Sequence, residues 1–66
     1  MKMPRYAKLL LEKNEIYPVV CCHFKTHQVT LKEKEKVYNT VDIKNVDFDL
    51  SGFTETEKLS FLRCFE

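Results

Sequence analysis

The chain has one glycine in 66 residues, which excludes a glycine-rich phosphate-cradling loop. Apolar runs are short. None approaches the ~18 consecutive residues that a bilayer-spanning helix needs, and no leader precedes the first charged segment. Neither a membrane protein nor a cleaved secretory precursor is expected. Cysteine is present, but in an odd number: Cys21, Cys22 and Cys64. A vicinal pair with one distant partner is a poor disulfide framework and points to a reducing compartment, the cytoplasm. Adjacent residues of a strand face opposite sides, so at most one of Cys21 and Cys22 is expected in a core.

What remains is ordinary globular material. The chain is 44% hydrophobic and 32% charged, with three tyrosines and five phenylalanines. That apolar share is too high for a disordered tail, and the length suits one small domain spanning 1–66. A chain of this size buries only about 60% of the surface it exposes when unfolded, so its core is marginal. The net charge of +1 is unevenly spread. Residues 1–36 carry eight Lys/Arg against four Glu, and residues 37–66 carry three against six Asp/Glu. The asymmetry suggests two electrostatically distinct faces, yet falls short of a dedicated nucleic-acid binder.

Residues 4–13 have helical spacing. Pro4 suits a first helical position, Tyr6, Leu9, Leu10 and Lys13 follow i, i+3, i+4, i+7, and Asn14 suits a C-cap. A strand through the leucines is the competing reading. From Ile16 the period changes to two. Ile16, Val20, Cys22 and Phe24 share the expected inner face, and Tyr17, Val19, Cys21 and His23 the outer. Pro18 lacks an amide donor and places this stretch at a strand start or an edge. Thr26 and His27 form a turn, after which Val29 and Leu31 point inward. KEKEK at 32–36 reads as a hairpin tip. Val37, Val41 and Ile43 then face one side, with Tyr38, Thr40 and Asp42 opposite. After a turn at Lys44 and Asn45, Val46, Phe48 and Leu50 point in and Asp47 and Asp49 out. One-sided alternation of this kind marks an antiparallel sheet with one covered face.

Thr54 and Glu57 have the spacing of a capping box, in which each side chain bonds the other residue's amide. Leu59, Leu62 and Phe65, with Phe61 and Cys64 alongside, give the helix that follows an apolar side. The expected fold is α+β: a small four-stranded antiparallel meander that can curl toward an SH3-like barrel, with an N-terminal and a C-terminal helix.

YPVVCCHFKTHQVTL at 17–31 and TVDIKNVDFDLSGFTETEK at 40–58 resemble the small YopX-like proteins of Gram-positive phages and prophages. Shared features are a strand leading into a "VTL" strand, an aromatic-rich acidic segment and a threonine-glycine turn. Cys22 and His23 stand where that group has an acidic step. The resemblance implies a small β-rich phage-type accessory acting in a host cell, and carries no catalytic motif.

Several constellations bear on chemistry. Cys21, Cys22, His23, His27 and Cys64 could bind a soft metal, but adjacent cysteines do not supply the spaced pairs that tetrahedral zinc requires. The same residues could make a thiol nucleophile with a histidine base, but a 66-residue meander offers little volume for a cleft and an oxyanion site. Neither a cofactor, a metal nor an enzyme is expected. Asp42, Asp47 and Asp49 form an outward acidic set that could meet a basic protein surface. Lys2, Arg5 and Lys8, with Lys25, Lys32, Lys34 and Lys36, could form a basic side; with Tyr17 and Tyr38 it would suit nucleic acid. Tyr17, Val19 and Tyr38 on the outer face suggest instead a protein contact. The function expected is non-catalytic binding of a host protein, or homodimerisation, through Tyr17, Tyr38, Phe61, Phe65, Asp42, Asp47 and Asp49. A small nucleic-acid-binding barrel is the alternative.

Overall fold

The structure is a computed structural model and describes residues 2–11 and 15–66. These residues form a β-rich α+β fold of five antiparallel strands and one C-terminal helix. The strands are β1 (Tyr6–Leu9), β2 (Glu15–His23), β3 (Gln28–Lys34), β4 (Val37–Asp42) and β5 (Val46–Phe48). A single 3-10 turn, Ile43–Asn45, joins β4 to β5, and helix α1 spans Glu55–Arg63. The sheet order is β4-β3-β2-β1-β5. No helix among the described residues is long and apolar enough to cross a membrane.

The N-terminal segment is a strand, not the helix expected over 4–13; Lys13 and Asn14, its expected end, lie outside the described residues. The apolar positions fit two periods, and tertiary pairing selects the strand. Ala7 and Leu9 alternate into the core at 0% and 3% exposure, while Tyr6 faces solvent. β1 is paired on both edges, Ala7 with Tyr17 of β2 and with Phe48 of β5. A ten-residue helix would have no such partners and is marginal in water. Leu10 and Leu11 form an exposed turn, tied down where the Leu10 amide donates to Asn45 O at 2.9 Å.

The expected four-strand meander becomes a five-strand sheet because β5 returns to pair with β1. Laid flat, five strands ~4.8 Å apart would separate β4 from β5 by roughly 19 Å. Three residues link them, a span of roughly 14 Å at most. The sheet must therefore curl.

β2 is where it bends. Residues Glu15 to Pro18 pair with β1, and the register with β3 runs from Val19 to His23, shifting between Val19 and Cys21. Val20 is the extra residue of this bulge. Pro18 thus sits in the half of β2 whose β3-facing side has no ladder, which reconciles a proline with a central strand. The bulge also inverts the expected faces of the first half of β2. Tyr17 and Val19 pack on the core side, whereas Ile16 and Val20 are exposed; beyond the bulge Cys22 is inward and Cys21 outward, as alternation predicts.

The core comprises Ala7, Leu9, Val29, Leu31 and Val46, with Tyr17, Val19, Cys22, Val41 and Phe48 packed against it. β3 and β4 follow the expected alternation, although β3 runs through Lys34, so the tip is Glu35 and Lys36 rather than all of KEKEK. α1 begins on the expected capping box. The Glu57 amide donates to Thr54 Oγ1 at 3.1 Å, and the Thr54 amide to Glu57 Oε1 at 2.9 Å. Gly52, just before it, has φ +81°, the left-handed conformation that favours glycine. Of the expected apolar side of Leu59, Leu62 and Phe65, with Phe61 and Cys64 alongside, only the two phenylalanines are buried. Phe61 and Phe65, one turn apart, are buried, and Leu59 and Leu62 are exposed. Their rings meet Phe24 and Phe48: Phe48–Phe61 centroids lie 5.0 Å apart and Phe24–Phe65 4.8 Å.

Candidate interaction surface

Alternation, the bulge and the curl together decide which side chains reach solvent on the sheet's outer face. On β1, Tyr6 points away from the core and lies opposite Pro18. On β2, Ile16 and the bulged Val20 do the same. On β4, Tyr38 stands opposite Lys32 of β3. Exposures are 46% for Tyr6, 62% for Ile16, 50% for Val20 and 56% for Tyr38. An antiparallel sheet that only faces water is expected to be polar on that side.

Beyond the bulge the same face turns polar. His23 Nε2 lies 2.8 Å from Thr30 Oγ1 and 3.4 Å from Cys21 Sγ, and Thr30 Oγ1 lies 2.8 Å from Thr40 Oγ1. This row follows from the register, which sets Cys21 opposite Thr30 and Thr30 opposite Thr40. It bridges β2, β3 and β4 across open surface. His27, the other histidine, instead reaches the Phe65 backbone carbonyl through Nε2. Among the described residues no group of three His, Cys, Asp or Glu side chains is placed to hold a metal ion. None of the three cysteines is in a disulfide. Burial, with smaller contributions from Cys21 and Cys64, pushes the Cys22 thiol up to about 11.

The contact residues expected from sequence are scattered. Tyr38 is exposed as expected. Tyr17 is half-buried on the core side, with its hydroxyl donating to the Glu15 carboxylate, because the bulge reverses its face. Phe61 and Phe65 are buried against Phe24 and Phe48, since Phe61 on α1 and Phe65 in the turn just after it face the sheet. The three aspartates are divided between two cavities. Asp42, at the end of β4, lines one of about 290 Å³ with His27, Ile43 and Lys44. Asp47 and Asp49 line a different one, of about 310 Å³, with Lys8, Ile16, Phe48 and Leu50. Asp49 is further occupied by Ser51, whose hydroxyl donates to it at 2.6 Å and whose amide at 3.1 Å; these bonds hold its carboxyl below the usual range.

The expected basic side is also divided. Lys2 and Arg5 line a third cavity of about 310 Å³ with Met3, Tyr6, Asp49, Ser51 and Phe53. Lys2 Nζ donates to Gly52 O at 2.8 Å and sits 4.8 Å from the Phe53 ring centroid. Lys8 belongs to the neighbouring cavity.

Sequence reasoning missed Tyr6, Ile16 and Val20 as outer-face residues. The alternation of Ala7 and Leu9 could have placed Tyr6, whereas nothing local announces the bulge that exposes Val20. Comparison of the chain with protein-family models, with curated proteins and with solved structures returned no match.

Proposed function

We propose that this chain is a non-catalytic binding domain that engages a protein partner through the outer face of its sheet. The observation that carries this reading is the set of four large apolar side chains, Tyr6, Ile16, Val20 and Tyr38, each about half exposed on that face. A small domain has little apolar material to spare, and aromatic and aliphatic side chains on a strand surface are what protein interfaces bury. The scaffold is read as an SH3-like barrel, a description supported by the strand order, the bent β2 and the 3-10 turn ahead of the last strand. Fold does not dictate function, so the reading rests on the surface. The YopX-like resemblance makes the partner a host protein met in the cytoplasm, whose activity the chain modulates.

A specific observation favours nucleic acid as the second reading. Lys2 and Arg5 share a cavity with Tyr6 and Phe53, the pairing of cations and stacking rings used by single-strand binders. The same cavity contains Asp49, held ionised by Ser51, which opposes a phosphate. Lys2 is moreover already engaged by Gly52 and Phe53.

The two readings separate in one experiment: affinity capture from bacterial lysate, with and without nuclease, at low and high salt. Protein binding predicts a retained protein that survives nuclease and salt, and is lost on Val20→Asp but kept by Arg5→Glu. Capture that nuclease abolishes, falls steeply with salt and depends on Arg5 would reverse the order.

A further inference from the structure

Cys21 and His23 lie at the end of β2, where residues two apart share a face. Both project from the outer face and both are exposed. Cys21 Sγ lies 3.4 Å from His23 Nε2. That nitrogen is also 2.8 Å from Thr30 Oγ1, yet one ring nitrogen has a single proton or a single lone pair to share between them. Thr30 does not depend on it, since its hydroxyl also has Thr40 Oγ1 at 2.8 Å. The imidazole nitrogen and the sulfur are therefore free to turn to a common third atom without leaving a polar group unpaired.

The spacing of the pair says which atom suits it. A tetrahedral zinc ion, bonded to sulfur at ~2.3 Å and to nitrogen at ~2.0–2.1 Å, sets two such ligands about 3.6 Å apart. The observed 3.4 Å is close to that bite. A linear two-coordinate ion with the same bonds would need roughly 4.3 Å. One copy supplies two of the four ligands, and among the described residues no third His, Cys, Asp or Glu completes the set. The surroundings are open to a second body. Toward β3 and β4 the neighbours on this face are the small Thr30 and Thr40. On the opposite side the ladder between β1 and β2 ends at Pro18, so among the described residues no strand flanks Cys21 to His23 there.

We propose that Cys21 and His23 are half of a Cys2His2 zinc site, which a second copy of this chain completes about a two-fold axis through the metal. Each Cys21 thiol gives its proton to solvent as its sulfur–zinc bond forms, and each His23 binds through a neutral ring. One zinc ion therefore joins two chains and releases two protons, and two thiolates balance the charge of the ion. The contact is isologous and closes on itself, so it yields a dimer and not a fibre. It uses two polar side chains beyond the bulge and stands independently of the partner-binding reading above.

Sedimentation of the purified, reduced chain at tens of micromolar tests it, with zinc chloride at one ion per two chains and then with EDTA. Thermal melting is the folding control. Zinc is expected to convert monomer to dimer and EDTA to reverse it. Cys21→Ser and His23→Gln are each expected to abolish the zinc-linked dimer while remaining folded, and Cys64→Ser to leave it unchanged. Zinc is also expected to protect Cys21 from a thiol reagent. A chain that stays monomeric with zinc overturns the proposal, as does one that binds one ion per monomer. So does a dimer that forms equally without the metal, or one that survives Cys21→Ser or His23→Gln.

Discussion

Two groups of four large side chains divide the molecule. Phe24, Phe48, Phe61 and Phe65 come from the β2–β3 turn, β5, the C-terminal helix and the turn after it and meet ring to ring, with Phe61–Phe65 centroids 5.4 Å apart. Tyr6, Ile16, Val20 and Tyr38 come from β1, β2 and β4 and stand on the outer face, each about half exposed. The first group spends its apolar surface on closing the fold. The second leaves its surface in water, where it contributes little to stability and remains free for contact. Both groups are large and apolar; position relative to the curl of the sheet decides which is buried.

The largest effect is expected from breaking the inner group. Phe61 is fully buried, so Phe61→Ala removes its transfer free energy and leaves a cavity, a loss of about 3–5 kcal/mol in urea unfolding. A domain below about 70 residues rarely has more than about 3–5 kcal/mol in total, so much of the variant population will be unfolded at 37 °C. A smaller loss is expected where the inner group is held from a distance. Thr54→Ala removes the capping box that starts α1 and should cost about 1 kcal/mol, read as a lowered Tm with the sheet intact by circular dichroism.

The thiols sharpen the same contrast between inside and outside. Cys21 is exposed and Cys22 half-buried with its thiol pushed up to about 11, so a thiol reagent near neutral pH should label Cys21 first and Cys22 last. Because the folded pKa of Cys22 is raised above the ordinary value of 9.0, its contribution to stability is full below pH 9. It declines as pH rises toward 11. Peptide mapping after timed labelling checks the order. The smallest effect is expected at acid pH. Asp49, held down by the Ser51 hydroxyl and amide, and Glu57, held down by the Thr54 amide, both have depressed folded pKa values. Their contribution is present above the ordinary values of 3.8 and 4.5 and is lost as pH falls below them. An acid titration of Tm should therefore fall less steeply for Ser51→Ala than for wild type.

Where alternation runs unbroken, the sequence is readable. Val29 and Leu31, Val41, and Val46 and Phe48 lie on the core side, as their spacing predicts, and Thr54 and Glu57 form the capping box that their spacing implies. Three features escape local reading. YAKLL fits both helical and strand periods, and β2 together with β5, far along the chain, settles it by pairing with β1 on both edges. One extra residue, Val20, reverses the parity of everything before it in β2, which moves Tyr17 inside and Ile16 outside. On α1, phenylalanines and leucines both make plausible apolar faces, and only contact with Phe24 and Phe48 selects the phenylalanines. The outer apolar group was illegible for the same reason as the bulge: it depends on the register that β2 adopts against β3.

Val20→Asp tests the central claim most directly, because it places a charge in the outer group without touching the core. Capture from bacterial lysate and thermal unfolding are measured together on this variant and on wild type. The account predicts stability unchanged to within about 0.5 kcal/mol, as for an exposed position, and loss of the retained protein partner. A folded Val20→Asp that retains its partner as well as wild type does would contradict it.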